Sequence, residues 1–144
     1  MDRQDNWVFH KLPDMPSSRY SSGCGLIRAQ GGEPAIIMAG SAYGPTLSSS
    51  SIFLLERNQW VSGPNLPGGF CYGGALSDGG DNFVMLGGVG CGRGELSDVI
   101  WRLDTSAMKF EVMPGSMPQA KNQFGTTFVL DNDSCVDLNV LTSA

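Results

Sequence analysis

The 144-residue sequence predicts an all-β chain of repeated four-stranded antiparallel units, and three observations carry that prediction. Met15-Pro16, Leu66-Pro67 and Met117-Pro118 recur at a spacing of 51, and each proline is followed seven residues later by a glycine: Gly23, Gly74 and Gly125. Two short apolar runs end in glycine, Ile36-Ile37-Met38-Ala39-Gly40 and Phe83-Val84-Met85-Leu86-Gly87-Gly88, which suits strands buried on both faces. The 20 glycines and 8 prolines, with no long helical period, call for many tight turns. A fixed period of this length marks one supersecondary unit copied along the chain.

The elements follow in order. Asn6-Trp7-Val8-Phe9-His10 is aromatic-rich and stands where Trp60 and Phe110 stand in later copies, so 6–16 reads as the last strand of a preceding unit. Leu12 to Pro16 interrupts strand pairing, because proline has no backbone donor. The first full unit, 17–67, has strands at 21–27, 35–40, 51–56 and 60–62, with a turn at Gln30 to Glu33 and a polar connection at 41–50. The second, 68–118, has strands at 72–76, 82–87, 98–104 and 108–113, with its long connection at 89–97. A third, 119–144, begins with 124–130 and 135–141. No glycine pair stands near Leu138 to Thr142, so its pattern fails there. All of 1–144 reads as a single domain.

Gly40 and Phe53 are 13 apart, as are Gly88 and Trp101, so these pairs read as equivalent positions, with Ala39 replacing the first glycine of the pair. Glycine at that strand end permits positive φ and close approach of a neighbouring unit. The aromatics Phe53, Trp60, Trp101 and Phe110 would bury large areas between units, on the order of 2–3 kcal/mol each.

Composition excludes several classes. The net charge of −5 and the lack of a Lys/Arg cluster argue against nucleic-acid binding. No apolar run reaches the roughly 18 residues of a membrane span. The polar start, Met1 to Asn6, lacks a signal-peptide core, so a cytoplasmic location is expected, with Cys24, Cys71, Cys91 and Cys135 as free thiols. Those cysteines form no CxxC and only His10 could join them, so no structural zinc, no other metal and no cofactor are expected. The run from Gly87 to Gly94 lacks phosphate-loop spacing and a following helix, and reads as an inter-strand loop.

The period, the glycine pair and the spaced aromatics together resemble the kelch repeat, one blade of a β-propeller. The segment from Asp98 to Asp104, with Phe110 and Met113 to Pro118, matches that family best. Trp101 takes the usual tyrosine place and Phe110 the usual tryptophan place. The resemblance spans about residues 6 to 131. It implies an incomplete propeller of about two full and two partial blades.

It also implies a protein–protein interaction module with a protein or peptide partner, such as the substrate-recognition part of a ubiquitin ligase adaptor. In several such propellers the residue three after the Met-Pro proline points into the central pocket. Here that residue is Arg19, Phe70 or Lys121. The long connections add Tyr43 and Arg93 as candidate partner contacts, since binding residues concentrate on loops over a rigid scaffold. An enzyme of the kelch-propeller type is the alternative, and a copper oxidase would need more histidine than the single His10. Because propellers close with about 4–8 blades, exposed end faces predict a segment of a longer protein, self-association that completes a ring, or a fragment without a formed binding face.

Overall fold

The computed structural model describes residues 8–90, 94–130 and 136–139, the last two strands by backbone alone. Two four-stranded antiparallel sheets form its body. In the first, β1 (Gly23–Arg28), β2 (Pro34–Ala39), β3 (Ser50–Leu54) and β4 (Gln59–Ser62) pair in chain order. The second holds β5 (Gly74–Ser77) and β6 (Asn82–Leu86). A small hairpin follows, β7 (Val89–Gly90) with β8 (Glu95–Leu96), before β9 (Val99–Asp104) and β10 (Lys109–Ser116) complete the sheet. β11 (Thr127–Leu130) and β12 (Val136–Asn139) pair as the start of a third unit. Among the described residues the only helical turn is a 3-10 turn at Gly44–Thr46, inside the first connection.

Local chemistry sets the hairpins. The Asp104 carboxylate accepts from Ser106 N (2.9 Å), Ser106 Oγ (2.6 Å) and Ala107 N (3.0 Å), closing the β9–β10 turn. Its pKa is held below the usual carboxylate range, first by the Ser106 hydroxyl and then by the Ala107 amide. Glu33 does related work in the first unit. Its Oε1 accepts from the amides of Glu56 (3.1 Å) and Arg57 (3.2 Å), while Oε2 pairs with Arg57 Nε at 3.0 Å. Glu33 is buried, and these partners satisfy a carboxylate that burial would otherwise penalise.

Period-2 alternation decides what each sheet buries. Ile27, Ala35, Ile37, Ile52 and Leu54 leave the first sheet toward the second, which meets them with Phe83, Met85, Leu103 and Phe110, all in one core. The opposite face of the second sheet buries Leu76 and Leu86 with Met117, and Phe124 from the start of the third unit packs there too. The units therefore stack face to face, which is why β2 and the Phe83 to Leu86 part of β6 are apolar on both faces.

The glycines spaced 51 apart lie on these seams. A Cβ on Gly23 would sit 3.0 Å from Ala75 Cβ, and one on Gly74 would run into Thr126 of the next unit. At Gly125 a Cβ would meet none of the described residues within 4 Å. The seams also share a hydrogen bond: Ser77 Oγ donates to Leu26 O, and Thr126 Oγ1 donates to Ala75 O at 3.2 Å.

Three expectations are corrected. The equal spacing of 13 does not mark equivalent positions. Phe53 pairs with Trp60 as Leu103 pairs with Phe110, and Ser51 occupies the place of Trp101. Gly40 donates to Ser49 O and Gly87 donates to Val99 O, so Gly40 answers to Gly87, and Ser41 stands where the second unit has Gly88. The second connection is longer, holding the β7–β8 hairpin, and that insertion disguised the shift. Second, residues 8–16 are not a strand: Phe9 is 95% exposed, and the segment is tied to the first sheet where Trp60 Nε1 donates to Pro13 O at 2.9 Å. Among the described residues no strand is placed to pair with it. Third, Cys71 is disulfide-bonded, whereas Cys24 is a free, exposed thiol; Cys91 and Cys135 lie outside the described residues.

Candidate functional site

The residues entering each first strand gather at one end of the stack with the connection 40–50 and with residues 87–90 and 94–98 of the second. There the backbone does something unusual. Ser21, Tyr72 and Gln123, again spaced 51 apart, all adopt left-handed conformations (φ 54°, 57° and 52°) that non-glycine residues seldom take. Tyr72 N donates to Ser21 O at 3.3 Å and Gln123 N donates to Tyr72 O at 2.7 Å, so one residue per unit is threaded to the next. Strain of this kind persists only where surrounding bonds enforce it, and it concentrates at sites that hold ligands.

The three tyrosines of the chain meet here. Tyr20 stacks on Tyr43 with ring centroids 5.9 Å apart and planes 16° from parallel, and meets Tyr72 edge-on at 5.8 Å and 88°. Tyr20 is 55% exposed and Tyr43 73%, so large aromatic surface faces solvent. The Tyr72 hydroxyl is raised above the ordinary tyrosine range, first by its hydrogen bond with Tyr20 and then by desolvation, both favouring the neutral phenol. The result is a cluster of three rings carrying phenol hydroxyls.

The proposed partner contacts fare differently. Arg19 turns inward: Nη1 donates to Gly40 O (3.1 Å), Thr46 O (3.3 Å) and Ser49 O (2.8 Å), and Nη2 to Ser49 Oγ (3.1 Å) and Ser51 Oγ (3.0 Å). Burial lowers its pKa from the ordinary value. It shapes the first connection and offers little to a partner. Phe70 is 2% exposed, packed on Trp101 at 5.9 Å and against Gly40, so its ring has no free face to present. Lys121 is half-buried and acts through its backbone, accepting from Gly88 N (2.8 Å) and donating to Ser97 O (3.3 Å). Tyr43 is exposed in the first connection. Arg93 lies outside the described residues.

Tyr20, Tyr72, Ser21 and Gln123 escaped the sequence reading. A signal was present: the last three stand two residues before the periodic glycines. At the opposite end of the stack, a polar cleft of about 510 Å³ opens between the hairpin turns, lined in part by Arg28, Asp81, Arg102 and Asp104. Among the described residues no group of three His, Cys, Asp or Glu side chains could hold a metal ion. No helix in that set is long and apolar enough to cross a membrane.

No family model matches the sequence, and no curated protein matches it. The fold does match solved structures. One, described as the structure of YjhT, superposes with a TM-score of 0.65 at 14% identity, covering 81% of this chain and 32% of its own. The chain thus spans about a third of that structure's length. At this identity the likeness concerns the fold alone.

Proposed function

We propose that the chain is a run of kelch-type β-propeller blades acting as a protein-interaction module, with its partner surface at the end where the three tyrosines meet. The single observation behind this reading is the exposed Tyr20–Tyr43–Tyr72 cluster set on strained, hydrogen-bonded backbone. Aromatic side chains with polar tips are enriched where proteins bind one another. Partner recognition for a ubiquitin ligase is the form of this function that the kelch resemblance suggests.

Peptide-display selection on the purified chain tests the module. Selected binders are expected to lose affinity for the Tyr20→Ala and Tyr43→Ala variants. Binders indifferent to both changes, or no enrichment over an empty scaffold, would overturn the placement.

Ring completion by further blades is a second reading, favoured by Gly125, whose added Cβ would meet none of the described residues within 4 Å, whereas Gly23 and Gly74 each meet the next unit's side chains. Leu26, on the outer face of the first sheet, is 43% exposed and adds apolar surface at the other end. Sedimentation velocity is expected to show concentration-dependent association of this chain, and a monomer at all concentrations would count against it.

A further inference from the structure

We infer that Arg102, Asp104, Lys109 and Glu111 form a stop: they keep the apolar face of a further four-stranded sheet off the β9–β10 half of the second sheet. The stop does not depend on the tyrosine surface. It narrows the ring-completion reading, because any added unit would then meet the second sheet across its β5–β6 half alone.

The two sheets can be compared position by position. In the first, Ile52 pairs with Val61 and Leu54 with Gln59 across β3 and β4. In the second, Arg102 pairs with Glu111 and Asp104 with Lys109 across β9 and β10. Since Phe53–Trp60 and Leu103–Phe110 are equivalent pairs, Arg102 stands in the place of Ile52, Asp104 in that of Leu54 and Glu111 in that of Val61. The three first-sheet residues build the seam. Ile52 and Leu54 are buried with Leu103 and Phe110 of the second sheet, and Val61 packs against them. Arg102 and Asp104 lie two and four residues beyond Ile100, which packs against Leu76, Leu86 and Met117, so they share its face, away from the first sheet. Lys109 and Glu111, as their cross-strand partners, share it too. Three apolar residues that make a seam in one sheet are thus three charged residues in the next.

Covering that patch would be costly. Arg102 Nη2 and Glu111 Oε2 lie 3.9 Å apart, beyond hydrogen-bond reach, and their side chains are 42% and 47% exposed. Arg102 Nε is already buried, with no acceptor among the described residues. A sheet laid over the patch would take the rest of the guanidinium and the Glu111 carboxylate out of water, without a hydrogen bond between them to offset the loss. Nor does the patch need a partner, since two cations and two anions already pair in register. Beside it, the edge strand β10 shifts register between Val112 and Ser116, a bulge that discourages further strand pairing. Polar outer faces end other stacked-repeat proteins for the same reason.

Sedimentation velocity of the intact chain tests the stop with two double variants. Arg102→Ile with Glu111→Val installs the residues of the first sheet, and should make the chain associate at a concentration at least ~10-fold lower than the wild type does. Arg102→Gln with Glu111→Gln keeps the patch polar and should sediment as the wild type. Thermal melts of both are expected to stay cooperative; Glu111→Val alone, the milder change, is read in place of the first pair if that pair fails to melt cooperatively. An apolar variant no more associated than the wild type would overturn the stop. So would equal association of the Gln pair, because amides offer no apolar face to cover. Wild-type association abolished by the Gln pair would overturn it as well, since the patch would then be an interface. Wild-type association left intact by the Gln pair supports the stop and ring completion together, whereas a monomeric wild type that the apolar pair drives to associate supports the stop and counts against ring completion.

Discussion

Arg19 and Phe70 stand 51 residues apart, at the same place in successive units, and each reaches the third strand of its own unit by opposite chemistry. Arg19 reaches Ser51 and Ser49 with donated hydrogen bonds. Phe70 reaches Trp101, which occupies the position of Ser51 in the second sheet, and packs against it with centroids 5.9 Å apart and planes tilted by 48°. One place is filled by a charge that satisfies carbonyls, the other by two rings that exclude water. The scaffold fixes only that something must bridge the entering segment and the third strand. What bridges them is free to vary in kind, provided both partners vary together.

Removing the aromatic bridge should hurt most. Phe70→Ala leaves a cavity beside Trp101 in the main core, and denaturant unfolding should show a loss of about 3–5 kcal/mol. The seam glycines come next. Gly74→Ala drives a methyl into Thr126 and should lower stability by about 1–3 kcal/mol, whereas Gly125→Ala should change it by less than ~0.5 kcal/mol. A thermal melt of both variants that showed equal losses would mean that the seams do not repeat as described.

Arg19→Ala should cost less than the loss of Phe70, about 1–2 kcal/mol, because its partners are partly solvated and water can replace some donors. Arg19→Lys should not restore the loss, since a single ammonium cannot span three carbonyls in a fixed fork. Transplanting the second unit's solution into the first sharpens the comparison further. In a double-mutant cycle, Arg19→Phe with Ser51→Trp should be less destabilising than the two changes summed, by roughly 1 kcal/mol. Strict additivity would show that the two places are not interchangeable.

The smallest effect concerns protonation. The raised Tyr72 pKa favours the folded state below the unfolded tyrosine value, a contribution lost as pH rises through the folded value. Alkaline titration of tyrosinate absorbance should therefore contain a late component that Tyr72→Phe removes.

Much of the fold was legible because its causes are local. Apolar alternation, glycine at strand ends and aspartate in hairpins each act within a few residues, and they located eight of the strands within about two residues at most ends. The equivalence of Gly40 with Gly88 misled because the two connections differ in length. Pairing register, set by contacts across the sheet, overrules spacing along the chain. Tyr43 is exposed, in the connection its loop position suggested. The inward turn of Arg19 and the burial of Phe70 were not legible, since position in a repeat fixes where a side chain starts and its neighbours decide where it points. Tyr20 and Tyr72 become visible only when rings distant in sequence are brought within 6 Å.

The shared core has a consequence for how the chain comes into being. Ile27, Ile37 and Ile52 have their counterparts in Phe83, Met85 and Leu103, none of which exists until a ribosome has made the second unit. A nascent first sheet can form its ladder early, yet its inner face stays wet until residues near Phe110 emerge. No unit owns a core. Each holds half of one on trust for its successor, so a break in translation or a protease cut between Ser62 and Phe70 would leave two pieces, each with an unmatched apolar wall.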